Sequence, residues 1–268
     1  MKGRVLVIAG SDSSGGAGIQ ADIKSITALG GFAMTAITAL TAQNTKGVFG
    51  IYDAPASFVA QQIELVLSDL GADCVKLGML HRADIIEAVC DCLDRLAPDV
   101  PVVADPVMVA KGGARLLEPD AQAALIAKIV PRARILTPNL PEAEALTGLS
   151  APEASRAEEL ANALLALGCQ AVLVKGGHRA GPEVTDVLAE RGKPPVRFTS
   201  PRIETRHTHG TGCTLASAIA TGIAQGLPLD QAVARARAYV IEAIRTAPGY
   251  GGGHGPLNHA HTVRWSAM

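Results

Sequence analysis

Short apolar runs alternate with longer amphipathic segments along most of the chain. The continuous apolar runs are residues 5–9, 102–104 and 171–174. Such runs are typical of strands buried on both faces of a sheet. The longer segments repeat apolar residues at helical spacing, as Leu215, Ile219 and Ile223 do. Strands that alternate with helices predict an α/β fold, in which one mostly parallel central sheet is covered by helices on both faces.

The same patterns predict the remaining elements. Further strands are expected at residues 33–42, 48–52, 74–77 and 134–136. Helices are expected at residues 19–29, 55–71, 83–96, 120–130, 141–146, 152–167, 213–225 and 228–246. Residues 185–190 and 196–200 predict a hairpin at the sheet edge, because a Gly-Lys-Pro-Pro turn separates them. We interpret residues 1–268 as a single domain whose tail is flexible from about residue 250.

Composition narrows the possible partners. The chain has 268 residues, of which 48% are hydrophobic and 3% aromatic, so Ala, Val, Leu and Ile must form the core. The formal net charge is −1 and the sequence has no basic stripe, which argues against nucleic acid as a partner. No uncharged apolar run is long enough to span a membrane. We therefore expect a small-molecule ligand.

The cysteines and the first residues favour a cytoplasmic protein. The five cysteines are odd in number, and their spacing matches neither a zinc site nor a disulfide framework. Such usage fits a reducing compartment. The chain begins with a charged segment that runs directly into the first predicted strand, without the features of a signal peptide.

Polar residues collect just after the predicted strands. They are Asp12, Gln43, His81, Asp105, Asn139 and Lys175. In open α/β sheets, ligands bind outside the carboxyl ends of the strands. The sequence therefore predicts a binding site at this edge of the sheet.

A glycine-rich loop at residues 206–212 leads into a predicted helix. Gly210 and Gly212 flank Thr211, so the backbone there is free to approach a ligand closely. The amides and the dipole of a helix start favour a phosphate or a developing oxyanion. Cys213 stands at that start, where the pKa of a thiol is lowered, and we expect it to accept a proton. The alternative is an ordinary loop in which Cys213 is a small core residue.

Two nucleotide-binding motifs are incomplete in this sequence. Residues 16–21 match the G-x-G-x-x-A dinucleotide pattern, but no acidic residue lies between Ile26 and Ile51, where the ribose partner is required. A Walker A loop fails because Ile23 occupies the position of its second glycine. A dehydrogenase is therefore a weak alternative, and the glycines at 15–18 are interpreted as a turn or as part of a substrate pocket.

Four polar residues after strands have two possible roles each. Asp105 either caps a loop or holds Mg²⁺, directly or through water. Asn139 and Glu142 either cap a helix or form an outer site for Mg²⁺ and phosphate-bound water. Lys175 is either a surface charge or, as we favour, a phosphate contact.

Two histidine pairs have the i,i+2 spacing of an extended metal site. No further ligand recurs near either pair. We interpret His207 and His209 as adjacent to substrate or phosphate, and His259 and His261 as solvated tail residues.

Several motifs, in this order, resemble the hydroxymethylpyrimidine/phosphomethylpyrimidine kinases of the ribokinase-like superfamily. They are residues 9–22, 38–44, 76–79, 105–108, 137–142, 174–178 and 209–214. The resemblance covers nearly the whole chain. It implies ATP-dependent phosphorylation of 4-amino-5-hydroxymethyl-2-methylpyrimidine and of its monophosphate, in thiamine biosynthesis. Most superfamily members carry an aspartate base where this sequence has Cys213.

The resemblance also implies roles for individual residues. The catalytic residues would be Gly210, Thr211, Gly212, Cys213 and Lys175; ATP would contact Asn139, Thr208, Lys175, Gly210 and Gly212; and Asp105 and Glu142 would organise Mg²⁺. The pyrimidine pocket would be lined by Gly10, Asp22, Gln43, Met79 and Val107. Gln43 carries both a donor and an acceptor, which matches an aminopyrimidine edge.

Other functions stay open at this point. A pyridoxine or pyridoxal kinase is the nearest alternative, because both substrates are flat nitrogen heterocycles with a hydroxymethyl arm. A non-catalytic pyrimidine-binding protein is a second alternative, although Cys213, Lys175 and Asp105 argue against it. The resemblance further suggests a homodimer.

Overall fold

A nine-stranded sheet forms the centre of the fold. The structure is a computed structural model, and it describes residues 1–110, 112–150, 157–177 and 181–263. The strand order of the sheet is β3-β2-β1-β4-β5-β6-β7-β8-β9. The strands are β1 (Arg4–Asp12), β2 (Phe32–Asn44), β3 (Gly47–Asp53), β4 (Cys74–Leu77), β5 (Val102–Ala104), β6 (Ile135–Leu136), β7 (Ala171–Val174), β8 (Glu183–Glu190) and β9 (Val196–Pro201). The α/β class predicted from the sequence is confirmed.

The centre of the sheet is parallel and its edges are antiparallel. Strands β2, β1, β4, β5, β6 and β7 pair in parallel. At one edge β3 pairs antiparallel with β2, and at the other β8 and β9 form the expected hairpin beside β7. Parallel strands bring their carboxyl ends to the same edge, and the polar residues that follow them therefore meet there.

Helices cover both faces of the sheet. They are α1 (Gly18–Ala28), α2 (Ala56–Asp69), α3 (Ala83–Leu96), α4 (Ala121–Ala124), α5 (Val130–Arg132), α6 (Leu140–Thr147), α7 (Ala157–Ala166), α8 (Thr211–Ala224) and α9 (Leu229–Arg245). A π-helical turn, Leu125–Ile129, joins α4 to α5 within the helix predicted at 120–130. Residues 152–156 of the helix predicted at 152–167 lie outside the described residues.

Alternate residues of β1 contribute to two separate cores. Leu6 and Ile8 pack in the core that also contains Val89 of α3. Val5 and Val7 pack on the opposite face, in the core that contains Ile219 of α8. This alternation follows from the two-residue period of a strand, and it explains why the run at residues 5–9 is apolar throughout.

The segment that follows α9 is packed, and the prediction of a flexible tail from about residue 250 is wrong for the residues described. Leu257 and His259 are 4% and 7% exposed. His259 is therefore buried, and its interpretation as a solvated residue is also wrong. The glycines that suggested flexibility instead let the backbone approach its neighbours closely, because they carry no Cβ.

No helix within the described ranges is both long and apolar enough to cross a membrane.

Candidate active site

A cleft of about 840 Å³ opens at the carboxyl edge of the sheet. Its walls come from the ends of the parallel strands and from the loop before α8. The predicted site residues that line it are Gly10, Gln43, Met79, Asp105, Val107, Asn139, Glu142, Lys175, Thr208, Gly210, Thr211, Gly212 and Cys213. The fold therefore brings together residues that are as far apart in the sequence as Gly10 and Cys213.

Asp22 is the one predicted pocket residue that the structure removes from this wall. Its carboxylate is fully buried and accepts hydrogen bonds from Lys76 Nζ at 2.9 Å and from Ser217 Oγ at 2.6 Å. The inward face of α1 directs the side chain toward α8 and β4, which the sequence does not reveal. The expected substrate contact of Asp22 is therefore corrected to a structural ion pair.

The start of α8 has the geometry of an anion cradle. Gly210 has a φ of 84°, and a Cβ on it would lie 1.9 Å from the carbonyl oxygen of Gly16, so no other residue fits there. The helix begins at Thr211, two residues before the predicted start. The first amides of a helix have no partners within it, and here they border the cleft.

A lysine and two acids lie beside this cradle. Lys175 Nζ donates to Asp105 Oδ1 at 2.9 Å and lies 4.0 Å from Glu142 Oε2. The pKa of Glu142 is raised to about 7, because burial and the charge of Asp105 together outweigh the opposing charge of Lys175. A Cβ on Gly212 would lie 3.3 Å from Asp105 Oδ2 and 3.4 Å from Lys175 Nζ. The cradle backbone and the charged group therefore face the same small volume.

Asn139 and Glu142 form a reciprocal helix cap. The Glu142 amide donates to Asn139 Oδ1 at 2.9 Å, and the Asn139 amide donates to Glu142 Oε2 at 2.8 Å. This capping box starts α6 and is the structural role considered for both residues. It also fixes the Glu142 carboxylate at the cleft wall, where it remains close to Lys175.

Asp105 and Glu142 fit a magnesium ion whose other ligands are substrate phosphates and water, but they do not form a metal site made of protein ligands alone. Among the described residues no group of three or more His, Cys, Asp or Glu side chains is arranged to hold a metal. Mg²⁺ commonly binds one or two carboxylates and completes its shell with water and substrate phosphate. Asp105 and Glu142 offer that donor set, and their like charges raise the pKa of Glu142, a cost that a cation would relieve.

The prediction that the pKa of Cys213 is lowered is wrong. Burial raises the pKa of this thiol to about 12, while Lys76 and the amide of Gly18 act in the opposite direction. Removing a thiolate from water therefore outweighs the stabilisation from the helix start. Cys213 still lines the cleft, as a protonated thiol near neutral pH.

A buried Asp12–His209 pair joins two loops of the site, and the sequence did not assign this pairing. The Asp12 carboxylate accepts from the amides of Gly16 and Ala17 and from His209 Nε2 at 2.8 Å. Although burial opposes it, hydrogen bonds from His209 and Ser14 lower the pKa of Asp12 to about 2. The available signal was the position of Asp12 after a strand, together with the expected placement of His209 near ligand.

Gln43 and Met79 shape the other end of the cleft. Thr41 Oγ1 donates to Gln43 Oε1 at 3.0 Å, which orients the amide, and Gln43 Nε2 lies 3.4 Å from His209 Nε2. Met79 Sδ would lie 3.0 Å from a Cβ on Gly10. Glycine at position 10 therefore lets the Met79 side chain pack directly against the backbone, and both residues line the cleft.

Comparison with a solved structure defines the class of protein. The fold matches an ADP complex of Bacillus subtilis pyridoxal kinase with a TM-score of 0.87 and 32% sequence identity, covering 97% of this chain and 98% of that one. The shared fold and the phosphate-ready cleft identify a small-molecule kinase.

Residues 12–258 match the family model of phosphomethylpyrimidine kinase, and the chain belongs to this family. It is 50% identical to the hydroxymethylpyrimidine/phosphomethylpyrimidine kinase of Rhizobium meliloti over 97% of both chains. It is also 51% identical to a bifunctional thiamine biosynthesis protein of Geobacter sulfurreducens, over 96% of this chain. The chain spans only about half of that relative, 52% of its length.

Proposed function

We propose that this protein transfers the γ-phosphoryl group of ATP to the hydroxymethyl oxygen of 4-amino-5-hydroxymethyl-2-methylpyrimidine, and then a second one to the monophosphate. The observation that carries the proposal is the position of Gly212, whose Cβ would lie 3.3 Å from Asp105 and 3.4 Å from Lys175. Backbone amides, an acid and a lysine thus surround one point, as phosphoryl transfer requires. Family membership supports the same activity.

The pyrimidine would bind at the end of β2. The Gln43 side chain offers a donor and an acceptor toward the cleft, and Thr41 restrains its orientation. Gly10, Met79 and Val107 line the same cleft as Gln43 and would contact the ring. The hydroxymethyl arm would then point toward Cys213 and the start of α8.

In the first transfer, the substrate hydroxyl oxygen bonds to the γ-phosphorus while the bond from that phosphorus to the bridging oxygen breaks and ADP leaves. The amides of residues 210–213 would hold the transferring oxygens, and Lys175 would balance their charge. The transition state of this transfer is loose, so the hydroxyl proton leaves late and ends on phosphate or water. The protonated Cys213 thiol, whose pKa is about 12, would orient the hydroxyl rather than act as a strong base.

Asp105 and Glu142 would hold Mg²⁺ through one carboxylate each or through bound water. When bound, the ion neutralises charge on the phosphates and aligns them. Asn139 would support Glu142 through the helix cap, and Thr208, which lines the cleft beside the cradle, would contact the nucleotide.

The decisive experiment compares ATP turnover with hydroxymethylpyrimidine, its monophosphate and pyridoxal. We expect turnover with both pyrimidines, and we expect Cys213→Ala to fold, bind the pyrimidine and lose most activity. Turnover with pyridoxal alone would instead support the second candidate, which the pyridoxal kinase fold match favours. Failure to consume ATP with any of the three would support a non-catalytic binding protein.

We also propose a cytoplasmic homodimer. Leu40, Phe49 and Tyr52 are exposed by 50%, 73% and 73%, and Phe49 and Tyr52 belong to edge strand β3. A second copy related by a two-fold axis would cover such a self-complementary apolar edge. The five free cysteines suit a reducing compartment. Light scattering should give a dimer mass for the wild type and a lower mass for Phe49→Ser; a monomeric wild type would contradict the proposal.

A further inference from the structure

Residues 251–259, which we name the C-terminal strap, run along one side of the site after α9, and His254 lines the cleft. The strap contacts the end of β2, then the loop before α8, and finally the first turn of α8 itself. These are the three parts of the chain to which the proposed function assigns pyrimidine recognition and phosphoryl binding. Neither the family's motifs nor the mechanism above uses the strap.

The first contact joins the strap to Thr45, two residues beyond Gln43. The amide of His254 donates to the Thr45 carbonyl at 2.8 Å, and the amide of Gly253 donates to Thr45 Oγ1 at 3.2 Å. A Cβ on Gly253 would lie 2.0 Å from the Thr45 carbonyl oxygen. Backbone packs against backbone at this point, so no side chain fits without displacing the strap or the end of β2.

The second contact joins the strap to the cradle loop. The amide of His209 donates to the Gly255 carbonyl at 3.1 Å, and His209 pairs with Pro256 in a parallel bridge. A Cβ on Gly255 would lie 2.2 Å from His207 Nδ1. His209 therefore receives support from two directions, through its backbone from the strap and through its ring from Asp12.

The third contact anchors the strap to α8, one residue beyond Cys213. Thr214 Oγ1 lies 3.0 Å from His259 Nε2, and Tyr239 donates its hydroxyl to the His259 carbonyl at 3.1 Å. Thr214 is fully buried and His259 is 7% exposed, so water does not replace this hydrogen bond readily. Burial lowers the pKa of His259 to about 4, which keeps the ring neutral.

We propose that the C-terminal strap is a positioning element for phosphoryl transfer, which fixes the cradle at residues 209–213 relative to the pyrimidine-binding end of β2. The inference rests on the proposed function. Its physical basis is that reacting groups must be held within a fraction of an ångström, and that a displacement of about 1 Å lowers turnover by roughly 10²-fold. No residue of the strap needs to touch the reacting atoms for this effect.

Gly253→Ala tests the proposal, with Gly252→Ala as the matched control. A Cβ on Gly252 would meet only the flexible end of the Lys46 side chain, at 3.3 Å from Cε, so the control leaves the strap in place. We expect Gly253→Ala to lower kcat with hydroxymethylpyrimidine by roughly 10- to 100-fold while the KM for ATP changes by less than about threefold. The control should stay within about twofold of the wild type.

A second pair of variants covers the case in which Gly253→Ala does not fold. His259→Leu removes the hydrogen bond to Thr214, whereas His259→Gln keeps a polar group near the same position. We expect kcat to fall in His259→Leu and to recover at least partly in His259→Gln. Equal losses in both would overturn the positioning role, because packing alone would then explain them.

Amide hydrogen exchange at His209 and Thr214, whose amides donate to the carbonyl oxygens of Gly255 and Gly210, provides a readout that is independent of activity. Faster exchange in Gly253→Ala, with wild-type exchange in Gly252→Ala, would support the role of the strap in holding the cradle, whether or not the wild type phosphorylates the pyrimidines. A folded Gly253→Ala with wild-type kcat and wild-type exchange would overturn it, as would equal effects in the two glycine variants. Failure of the strap inference and failure of the proposed function thus give different results.

Discussion

Two lysine–aspartate pairs lie beside strands of the same sheet, and the nearest N···O distance is 2.9 Å in both. Lys76 of β4 pairs with Asp22 of α1, and Lys175 after β7 pairs with Asp105 after β5. The first pair is completely buried, with side chains that are 0% exposed. The second borders the cleft, with exposures of 15% for Lys175 and 2% for Asp105.

Their surroundings give the two pairs different roles. The Lys76–Asp22 pair is completed by a hydrogen bond from Ser217, one turn after Cys213 on α8, and it joins a strand to two helices. The Lys175–Asp105 pair has Glu142 nearby and the cradle of α8 in front of it. A lysine–aspartate pair therefore stabilises the fold in the first case and presents charge to a ligand in the second.

The comparison shows that pairing distance alone does not reveal function. Burial opposes the charge on Lys76, but the adjacent Asp22 raises its pKa. Burial likewise opposes the charge on Lys175, and there Asp105 and Glu142 raise the pKa. What differs is access: both lysines border the cleft, but the Lys76 side chain is 0% exposed and closed off by Asp22, whereas the Lys175 side chain is 15% exposed and open to a phosphate.

The largest expected effect is on stability, in Lys76→Met. Removing one partner of a buried pair leaves an uncompensated charge, so the free energy of unfolding should fall by about 3–5 kcal/mol. Urea denaturation followed by circular dichroism measures this. The double variant Lys76→Met/Asp22→Leu is the control and should recover part of the loss. A single variant as stable as the wild type would remove the distinction between the two pairs.

Lys175→Met should instead affect catalysis. We expect kcat/KM to fall by roughly 10²–10³-fold, because a charge aimed at the transferring phosphoryl group is lost. The loss of stability should be smaller than in Lys76→Met, since Lys175 is partly exposed. Steady-state kinetics and urea denaturation on the same samples test both statements. Comparable stability losses in the two variants, with activity retained in Lys175→Met, would reverse the assignment.

Alkylation of Cys213 tests how strongly the buried Lys76–Asp22 pair affects the pKa of the Cys213 thiol. Because burial raises the pKa of Cys213 to about 12, iodoacetamide should modify it at pH 8 roughly 10²-fold more slowly than a free cysteine. Mass spectrometry of peptides identifies the modified residue, with Cys213→Ser as the control. Modification at the rate of a free thiol would mean that Lys76 outweighs burial.

The smallest expected effect does not involve either pair. It is the contribution of His259 to the pH dependence of the free energy of unfolding. Burial, with smaller contributions from the charges of Lys24 and His261, lowers its pKa from 6.5 to about 4. The unfolded chain therefore binds more protons between pH 6.5 and pH 4, and stability falls as the pH drops through this window. His259→Gln should reduce the slope by an amount on the order of 1–3 kcal/mol across the window. An unchanged slope in denaturation curves would contradict the buried neutral imidazole.

Much of the site could be predicted because parallel strands end at one edge. Asp105 and Lys175 each follow a short apolar run, so their positions in the sequence already place them at the edge where ligands bind. The glycines at 210 and 212 likewise predicted close approach of the backbone. The pairing of Asp12 with His209 could not be predicted, because it depends on two loops that are 197 residues apart in the chain.

The sequence by itself determined the order of strands and helices, the edge at which the site forms and the family to which the chain is similar. These follow from local periodicity, from residues after strand ends and from contiguous motifs. Only the tertiary structure decided that Asp22 is sealed with Lys76, that burial raises the pKa of Cys213 and that the strap is packed rather than flexible. Each of these depends on how much water surrounds a group, and that is set by residues distant in the chain.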